Sequence, residues 1–315
     1  MRILVTGGTG FLGKHVIPKL KAHQHEVWAP SSKELDVLEF ANFANNVRCY
    51  RPDVILHMAA RCAGILGNRI NPADFLRDNT QMALNVYEAA RTHKVNKVYS
   101  LGSVCAYPKY CPVPFKEDDI WNGAAEETNF PYGQAKRTLL MLGQTYRQQY
   151  GMKGAHLIPV NMYGEYDSYD PTYSHVIPAL IRKCEDAICN HSSHVKCWGT
   201  GEATREFLYA GDASEAICKA IDDGLDTELP INLGIGRDIS IKDLVHLIAA
   251  IMKYQGDIVF TGEVSDGQPK RLLDVSRAKK LLGWTANTNL LEGLTKTITW
   301  FRANKQDIIA QTVAS

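Results

Sequence analysis

A doubly wound α/β fold, followed by a smaller C-terminal domain, is predicted by three observations. Short β-branched runs alternate with helical patterns through the first half of the 315-residue chain. A glycine-rich turn joins the first such run to the first helical pattern. No internal repeat, low-complexity tract or long linker breaks the alternation. Strand and helix signals in this order imply parallel strands joined by crossover helices.

The strands are expected, in order, at RILVT from Arg2, EVWAP from Glu26, DVILHMA from Asp53, KVYSLG from Lys97 and GAHLIPV from Gly154. Each is a short, apolar, β-branched-rich run of the kind that fills a covered sheet. The amphipathic stretches Ala73 to Thr92 and Tyr132 to Tyr150 read as helices between them. At REFLYAGDASEAICKAI, from Arg205, the chain returns for a further strand and helix. Residues 1–165 with about 206–240 are therefore expected to form a nucleotide-binding domain, and 166–205 with about 241–315 a smaller substrate-binding domain.

Composition narrows the function. With 45% apolar and 22% charged residues the chain reads as globular, and a formal net charge of +1 gives no global attraction to nucleic acid or to an acidic membrane. A small-molecule ligand held by local groups is expected. Met1 to Val5 run straight into the glycine loop, and no apolar run has the length of a membrane span, so a cytoplasmic location is expected. In a reducing compartment the eight cysteines are expected to be free thiols.

The turn TGGTGFLG, Thr6 to Gly13, follows a strand and opens a helix. Gly8, Gly10 and Gly13 fit G-x-G-x-x-G, and Gly7, Gly10 and Gly13 fit G-x-x-G-x-x-G. Either pattern lets a pyrophosphate approach backbone N–H groups at the positive end of a helix, which is the Rossmann-like dinucleotide site. Gly7, Gly10, Phe11, Leu12 and Gly13, with Ala59 and Ala60 after the third strand, are the candidate cofactor contacts. An acidic residue at the end of the second strand would hold the ribose hydroxyls of NAD; instead Ser31, Ser32 and Lys33 follow EVWAP. Two hydroxyls and a cation suit a 2′-phosphate, so NADP (NADPH) is the expected cofactor.

In YGQAK, Tyr132 and Lys136 stand four apart, about one helical turn, on one helix face. An ammonium beside a phenol is expected to lower the phenol's pKa, so that Tyr132 can exchange a proton with a carbonyl during hydride transfer. Lys136 can also grip the nicotinamide ribose. Ser103 follows the fourth strand and completes the group a carbonyl reductase requires.

Through TGGTGFLG, Ser103, Tyr132 and Lys136 the sequence resembles the extended short-chain dehydrogenase/reductases. RCAGILGNRINPADFLRDN, LGSVCAYPK, PVNMYGEYD, SHVIPALIRK, WGTGEATREFLYAGD and DGQPKRLLDVSRAKKLLGW are similar to the GDP-L-fucose synthase family along nearly the whole chain. The resemblance implies a homodimeric enzyme that epimerises GDP-4-keto-6-deoxy-D-mannose at C3 and C5 and reduces C4 with NADPH. It implies Cys105 as the base of epimerisation, His175 in SHVIPAL as the opposing acid, and Asn161, His175, Lys183, Trp198, Arg205 and Lys270 as substrate contacts. Lys270 and Arg271 are both candidates to close the site from the second domain.

Val104, Glu165 and Tyr173 depart from the family pattern, and leave open a GDP-sugar C4 reductase without epimerisation, on a GDP-4-keto-heptose for example. A GDP-mannose 3,5-epimerase shares the cysteine but usually opposes it with a lysine. A 4,6-dehydratase would carry an acidic pair near Ser103, which is absent, and a dinucleotide sensor need not keep Ser103, Tyr132 and Lys136 together. Cys184, Cys189, His191, His194 and Cys197 have metal-binding types but irregular spacing, so no metal is expected.

Overall fold

The apolar run at the start of the chain becomes β1 (Arg2–Thr6), buried along its last four residues, because a parallel strand covered on both faces has no solvent side for polar residues. The computed structural model describes residues 1–171, 173–262 and 267–314. After β1 come α1 (Phe11–Ala22), β2 (Glu26–Trp28), α2 (Phe40–Tyr50), β3 (Val54–His57), α3 (Ile65–Ile70), α4 (Pro72–Thr92), β4 (Lys97–Leu101), α5 (Phe130–Tyr150) and β5 (Lys153–Pro159). The chain continues through β6 (Asn161–Tyr163), α6 (Val176–Cys189), β7 (His194–Cys197), β8 (Thr204–Tyr209), α7 (Ala210–Asp222) and β9 (Ile231–Leu233). It closes with β10 (Asp238–Ser240), α8 (Ile241–Met252), β11 (Asp257–Phe260), β12 (Lys270–Arg271), α9 (Ser276–Leu282) and α10 (Leu290–Ala314).

Local chemistry sets the ends of these elements. The expected strand EVWAP stops at Trp28, before Pro30, which has no N–H for the ladder. Helices α4 and α5 each carry a proline in the first turn, where an N–H lacks a partner anyway. Gly151, at φ +67°, ends α5 in the left-handed conformation that glycine adopts freely. Ser240 caps α8 by accepting from the Asp243 N–H at 2.9 Å.

The main sheet runs β2-β1-β3-β4-β5-β9, with every pairing parallel. The chain leaves β1 toward β2 and returns to β3 on the other side, so a crevice opens where the strand order reverses. Val16 and Leu20 of α1, Ile217 of α7 and Ala278 of α9 cover one face of the sheet. Phe43 of α2, Val86 of α4 and Leu139 of α5 cover the other. This is the doubly wound, Rossmann-like core.

A separate apolar cluster holds the C-terminal part together, with Ile181 of α6, Ile248 of α8, and Ile298 and Phe301 of α10 at its centre. Its β8 pairs in parallel with β6 and β12 and antiparallel with β10, while β7 and β11 form a two-stranded ladder. Glu206 of β8 is fully buried and accepts from Ile235 N–H at 2.5 Å, Gly236 N–H at 2.6 Å and Leu273 N–H at 2.8 Å. One carboxylate thus fastens β8 to the turn after β9 and to the segment after β12. Burial pushes its carboxyl up to about 7, against the pull of those three N–H groups. Among the described residues no helix is long and apolar enough to cross a membrane.

Candidate active site

At the crevice, the glycine turn divides its labour. Gly7 has φ +74°, and a Cβ there would lie 2.6 Å from the Ala59 nitrogen. A Cβ on Gly13 would lie 2.1 Å from the Gly8 carbonyl oxygen. Both glycines are needed for the turn to close against β3 and α1. A Cβ on Gly10 would meet only the Gly7 oxygen, at 3.3 Å, so the loop is open there. Gly10 stands at the N-terminus of α1, whose first turn has no acidic residue and no side-chain cap. Exposed N–H groups, an open cradle and the positive helix end fit a dinucleotide pyrophosphate.

Phe11 is half-buried and Leu12 turns its side chain into the core. Ala59 and Ala60 lie half-buried beyond β3, with the Ala59 N–H donating to Thr6 Oγ1 at 3.3 Å. Beyond β2, Ser32 and Lys33 are exposed, whereas Ser31 donates both its N–H and its hydroxyl to Glu34 at 2.8 Å. The hydroxyl and cation that face solvent are therefore those of Ser32 and Lys33.

Next to the cradle, β4 and α5 bring together the candidate catalytic residues. Ser103 caps a short 3-10 turn, Val104–Ala106, by accepting from the Cys105 N–H at 3.2 Å, which leaves its own hydroxyl proton to donate elsewhere. Tyr132 and Lys136 are both buried on the face of α5 turned toward that strand. Lys136 Nζ donates to the Leu101 carbonyl at 2.8 Å and lies 5.7 Å from the Tyr132 ring centroid. Burial lowers the ammonium to about 8. The Tyr132 hydroxyl reaches the side chains of Ser103 and Cys62. The expected lowering of this phenol is not found. Burial, with the Cys62 and Cys105 thiols beside it, holds it well above its ordinary value. A phenol that stays protonated is the form a proton donor needs.

Cys105 and His175 are both brought to this centre. Arg271 of β12 is buried and its Nη1 lies 3.7 Å from Cys105 Sγ, while Nε donates to Gln268 Oε1 at 3.0 Å. His175, at the N-terminus of α6, faces the buried Asp167 through Nδ1 at 3.4 Å and Cys62 Sγ through Nε2 at 3.8 Å. Burial alone would lower the imidazole; the Asp167 charge and hydrogen bond, then Cys62, outweigh it and raise His175 well above its ordinary value.

The substrate candidates of the second domain are more scattered. Lys183 Nζ lies 4.7 Å over the exposed Trp198 ring and donates to the Lys196 carbonyl at 3.0 Å. Asn161 donates to the Glu206 carbonyl at 3.0 Å, and Arg205 to the Thr204 carbonyl at 2.7 Å. Lys270 is drawn to Asp238 at 2.9 Å, so it is Arg271 of the pair that touches Cys105. Of the three departures, Val104 is buried, and Glu165 accepts from the Tyr209 hydroxyl at 2.8 Å while its carbonyl oxygen meets His15 Nε2 at 3.0 Å. The Tyr173 carbonyl accepts from the Gly64 N–H at 3.2 Å. Cys184 and Cys197 are buried in the second core and Cys189 takes a hydrogen bond from Lys305, and among the described residues no three metal-ligating side chains converge.

Sequence reading passed over two contacts. Asp167 stands eight residues before His175, and Cys62 three after Ala59; a carboxylate and a thiol just beyond candidate strand ends were the available signals.

Residues 3–234 match the NAD dependent epimerase/dehydratase family. The chain is 37% identical over 308 residues to the GDP-L-colitose synthase of Yersinia pseudotuberculosis, covering 98% of this chain and all of that one. It is 34% identical over 313 residues to the GDP-L-fucose synthase of Escherichia coli K12, covering 96% and 97%. A GDP-L-fucose synthetase from Naegleria fowleri solved with NADP superposes with a TM-score of 0.86 at 28% identity, covering 97% of this chain and 95% of that one. The glycine cradle, the Ser103–Tyr132–Lys136 centre and these likenesses together place the chain in the NAD dependent epimerase/dehydratase family, among its GDP-L-fucose synthase-like, NADP-dependent nucleotide-sugar enzymes.

Proposed function

We propose that the chain converts GDP-4-keto-6-deoxy-D-mannose to GDP-L-fucose by 3,5-epimerisation and NADPH-dependent reduction at C4. The observation that carries this reading is that two acid–base groups, Cys105 and His175, stand by one tyrosine. The Cys105 carbonyl packs against Gly133, the residue after Tyr132, where a Cβ would lie 2.4 Å from it, and His175 lies 3.8 Å from Cys62, whose thiol acts on Tyr132.

The C4 ketone acidifies the neighbouring C–H bonds at C3 and C5. Cys105, beside the Arg271 guanidinium, takes the proton from one face, and the His175 imidazolium returns one to the other. Each inversion breaks one C–H bond, forms another, and moves one proton from His175 to Cys105. Ser103 and Tyr132 donate to the C4 oxygen as negative charge gathers there. When bound, NADPH supplies hydride to C4. Tyr132 then protonates the oxygen, and Lys136 holds the ribose side of the cofactor site.

Lys183 and Trp198 form a cationic, aromatic platform for the guanosine diphosphate, with Arg205 pairing with its phosphates and Asn161 lining the sugar end. The 37% identity to a GDP-L-colitose synthase supports a second reading, in which the same residues act on a related GDP-4-keto sugar.

We also propose a homodimer formed by α4 and α5, which expose Leu76, Leu84 and Met141, and a cytoplasmic location, supported by eight free thiols. Light scattering tests the dimer. The function is tested by mixing protein, NADPH and GDP-4-keto-6-deoxy-D-mannose. NADPH loss with a product that co-elutes with GDP-L-fucose is expected, and no NADPH loss overturns the reading.

A further inference from the structure

Cys62 is not used by the reaction as proposed, yet it stands at the centre of the site. The loop that carries it is fixed on both sides. The Arg61 N–H donates to Asn79 Oδ1 at 2.9 Å, Asn79 Nδ2 donates back to the Arg61 carbonyl at 3.0 Å, and the Arg61 guanidinium is drawn away to Asp78 at 2.6 Å and Asp74 at 3.3 Å. Three residues on, a Cβ on Gly64 would lie 2.8 Å from the Ser174 carbonyl oxygen. Only a glycine lets this loop approach the segment before α6 so closely. That approach sets Cys62 against His175.

We propose that Cys62 is an acid–base residue of the site, the link through which a proton passes from His175 to Tyr132. The geometry gives His175 Nδ1 at 3.4 Å from Asp167 and His175 Nε2 at 3.8 Å from Cys62 Sγ, and the Tyr132 side chain acts on the same thiol. The inference rests on the reading that Tyr132 protonates the C4 oxygen.

That reading creates a need. Tyr132 is 7% exposed, and once it has given up its proton it has little access to water. Cys62 is exposed and the His175 side chain is 42% exposed, so the chain connects a buried donor to a thiol and an imidazole that both exchange with solvent. As the Tyr132 O–H bond re-forms, the Cys62 S–H bond breaks; Sγ then takes the Nε2 proton of the imidazolium, and the imidazole recovers one from water. No electrons change hands.

The groups that face the thiol are His175 at the start of α6, and Tyr132 and Lys136 of α5. Burial would raise the thiol, but His175, then Tyr132 and Lys136, outweigh it, and the net direction is downward. A thiol and an imidazole that move toward each other in this way share a proton readily.

The test has two arms, both on the full chain. In the first, without substrate, the rate of Cys62 alkylation by iodoacetamide is followed against pH by mass spectrometry. The midpoint is expected below the ordinary thiol value of about 8.5 and is expected to rise in His175→Asn and in Asp167→Asn. A midpoint that neither variant moves overturns the link. In the second, NADPH turnover is measured for Cys62→Ala and Cys62→Ser. The alanine variant is expected to lose about ten-fold in kcat with unchanged KM for NADPH, and serine, whose hydroxyl can pass a proton, to recover most of it. Full turnover by the alanine variant, or equal losses in both, overturns the link. If the wild-type protein consumes no NADPH with this sugar, the function reading fails, and the first arm alone decides whether Cys62 and His175 share a proton.

Discussion

Arg271 Nη1 lies 3.7 Å from Cys105 Sγ, and the same guanidinium is fixed by Gln268, whose Oε1 accepts from Nε at 3.0 Å. A cation from β12, beyond the main sheet, thus reaches the thiol that follows β4. A guanidinium fixed at that distance orients the sulfur. In Arg271→Gln, solvent exchange at the sugar is expected to fall roughly 10- to 100-fold, with Arg271→Lys intermediate because it keeps charge and loses the fork. NADPH affinity, read by fluorescence, is expected to be unchanged in both.

Burial brings the Lys136 ammonium down to about 8. Its cation is present below that pH and is lost as pH rises through it. Since kcat/KM reports the free enzyme, its pH profile for the sugar is expected to fall on the alkaline side near 8. A guanidinium does not deprotonate in this range, so Lys136→Arg is expected to shift that limb upward even if the overall rate is lower. A limb that stays in place assigns it to another group.

The glycine turn separates fold from binding. Gly13→Ala brings a methyl to 2.1 Å from the Gly8 oxygen, and is expected to cost about 3 kcal/mol of stability in denaturant unfolding. Gly10→Ala meets only one atom, at 3.3 Å, and Gly10 has φ −79°, which alanine adopts without strain. It is expected to keep the wild-type midpoint and to weaken NADPH binding at least ten-fold, because the methyl would occupy the cradle.

Glu206 makes a prediction about stability. Its two oxygens accept from three N–H groups, and in Glu206→Gln the amide nitrogen would face either the Leu273 N–H or the pair at Ile235 and Gly236. A buried donor without a partner costs about 1–3 kcal/mol, the destabilisation expected in chemical unfolding. The raised carboxyl also fixes a sign. The folded state binds this proton more tightly than the unfolded one, so the contribution of Glu206 is most favourable below the unfolded carboxyl value and declines as pH rises toward about 7. The variant is expected to lose that decline.

What was legible in the sequence was local. The glycine spacing, the placement of Ser103 after a strand, and the four-residue step from Tyr132 to Lys136 each follow from one turn of backbone, and each is found where the pattern put it. What stayed hidden joins distant positions. Cys62 and His175 are 113 residues apart, and Cys105 and Arg271 are 166 apart. Both contacts depend on how the C-terminal part meets the segments that follow β3 and β4, through the Gly64–Ser174 approach and the Glu206 hub, and no periodicity records that. The pair Lys270–Arg271 is a fair instance: the sequence marks two adjacent cations, and only strand pleating decides that Lys270 turns to Asp238 and Arg271 to the thiol.

The most direct test of the central claim is the deuterium content of the product formed from GDP-4-keto-6-deoxy-D-mannose and NADPH in D2O, by the wild-type protein and by Cys105→Ser. Deuterium is expected at C3 and C5 in the wild-type product, with loss of both in the variant while NADPH binding remains. Reduction without solvent deuterium at either carbon would contradict it, since a C4 reductase needs neither Cys105 nor His175 as an acid–base pair.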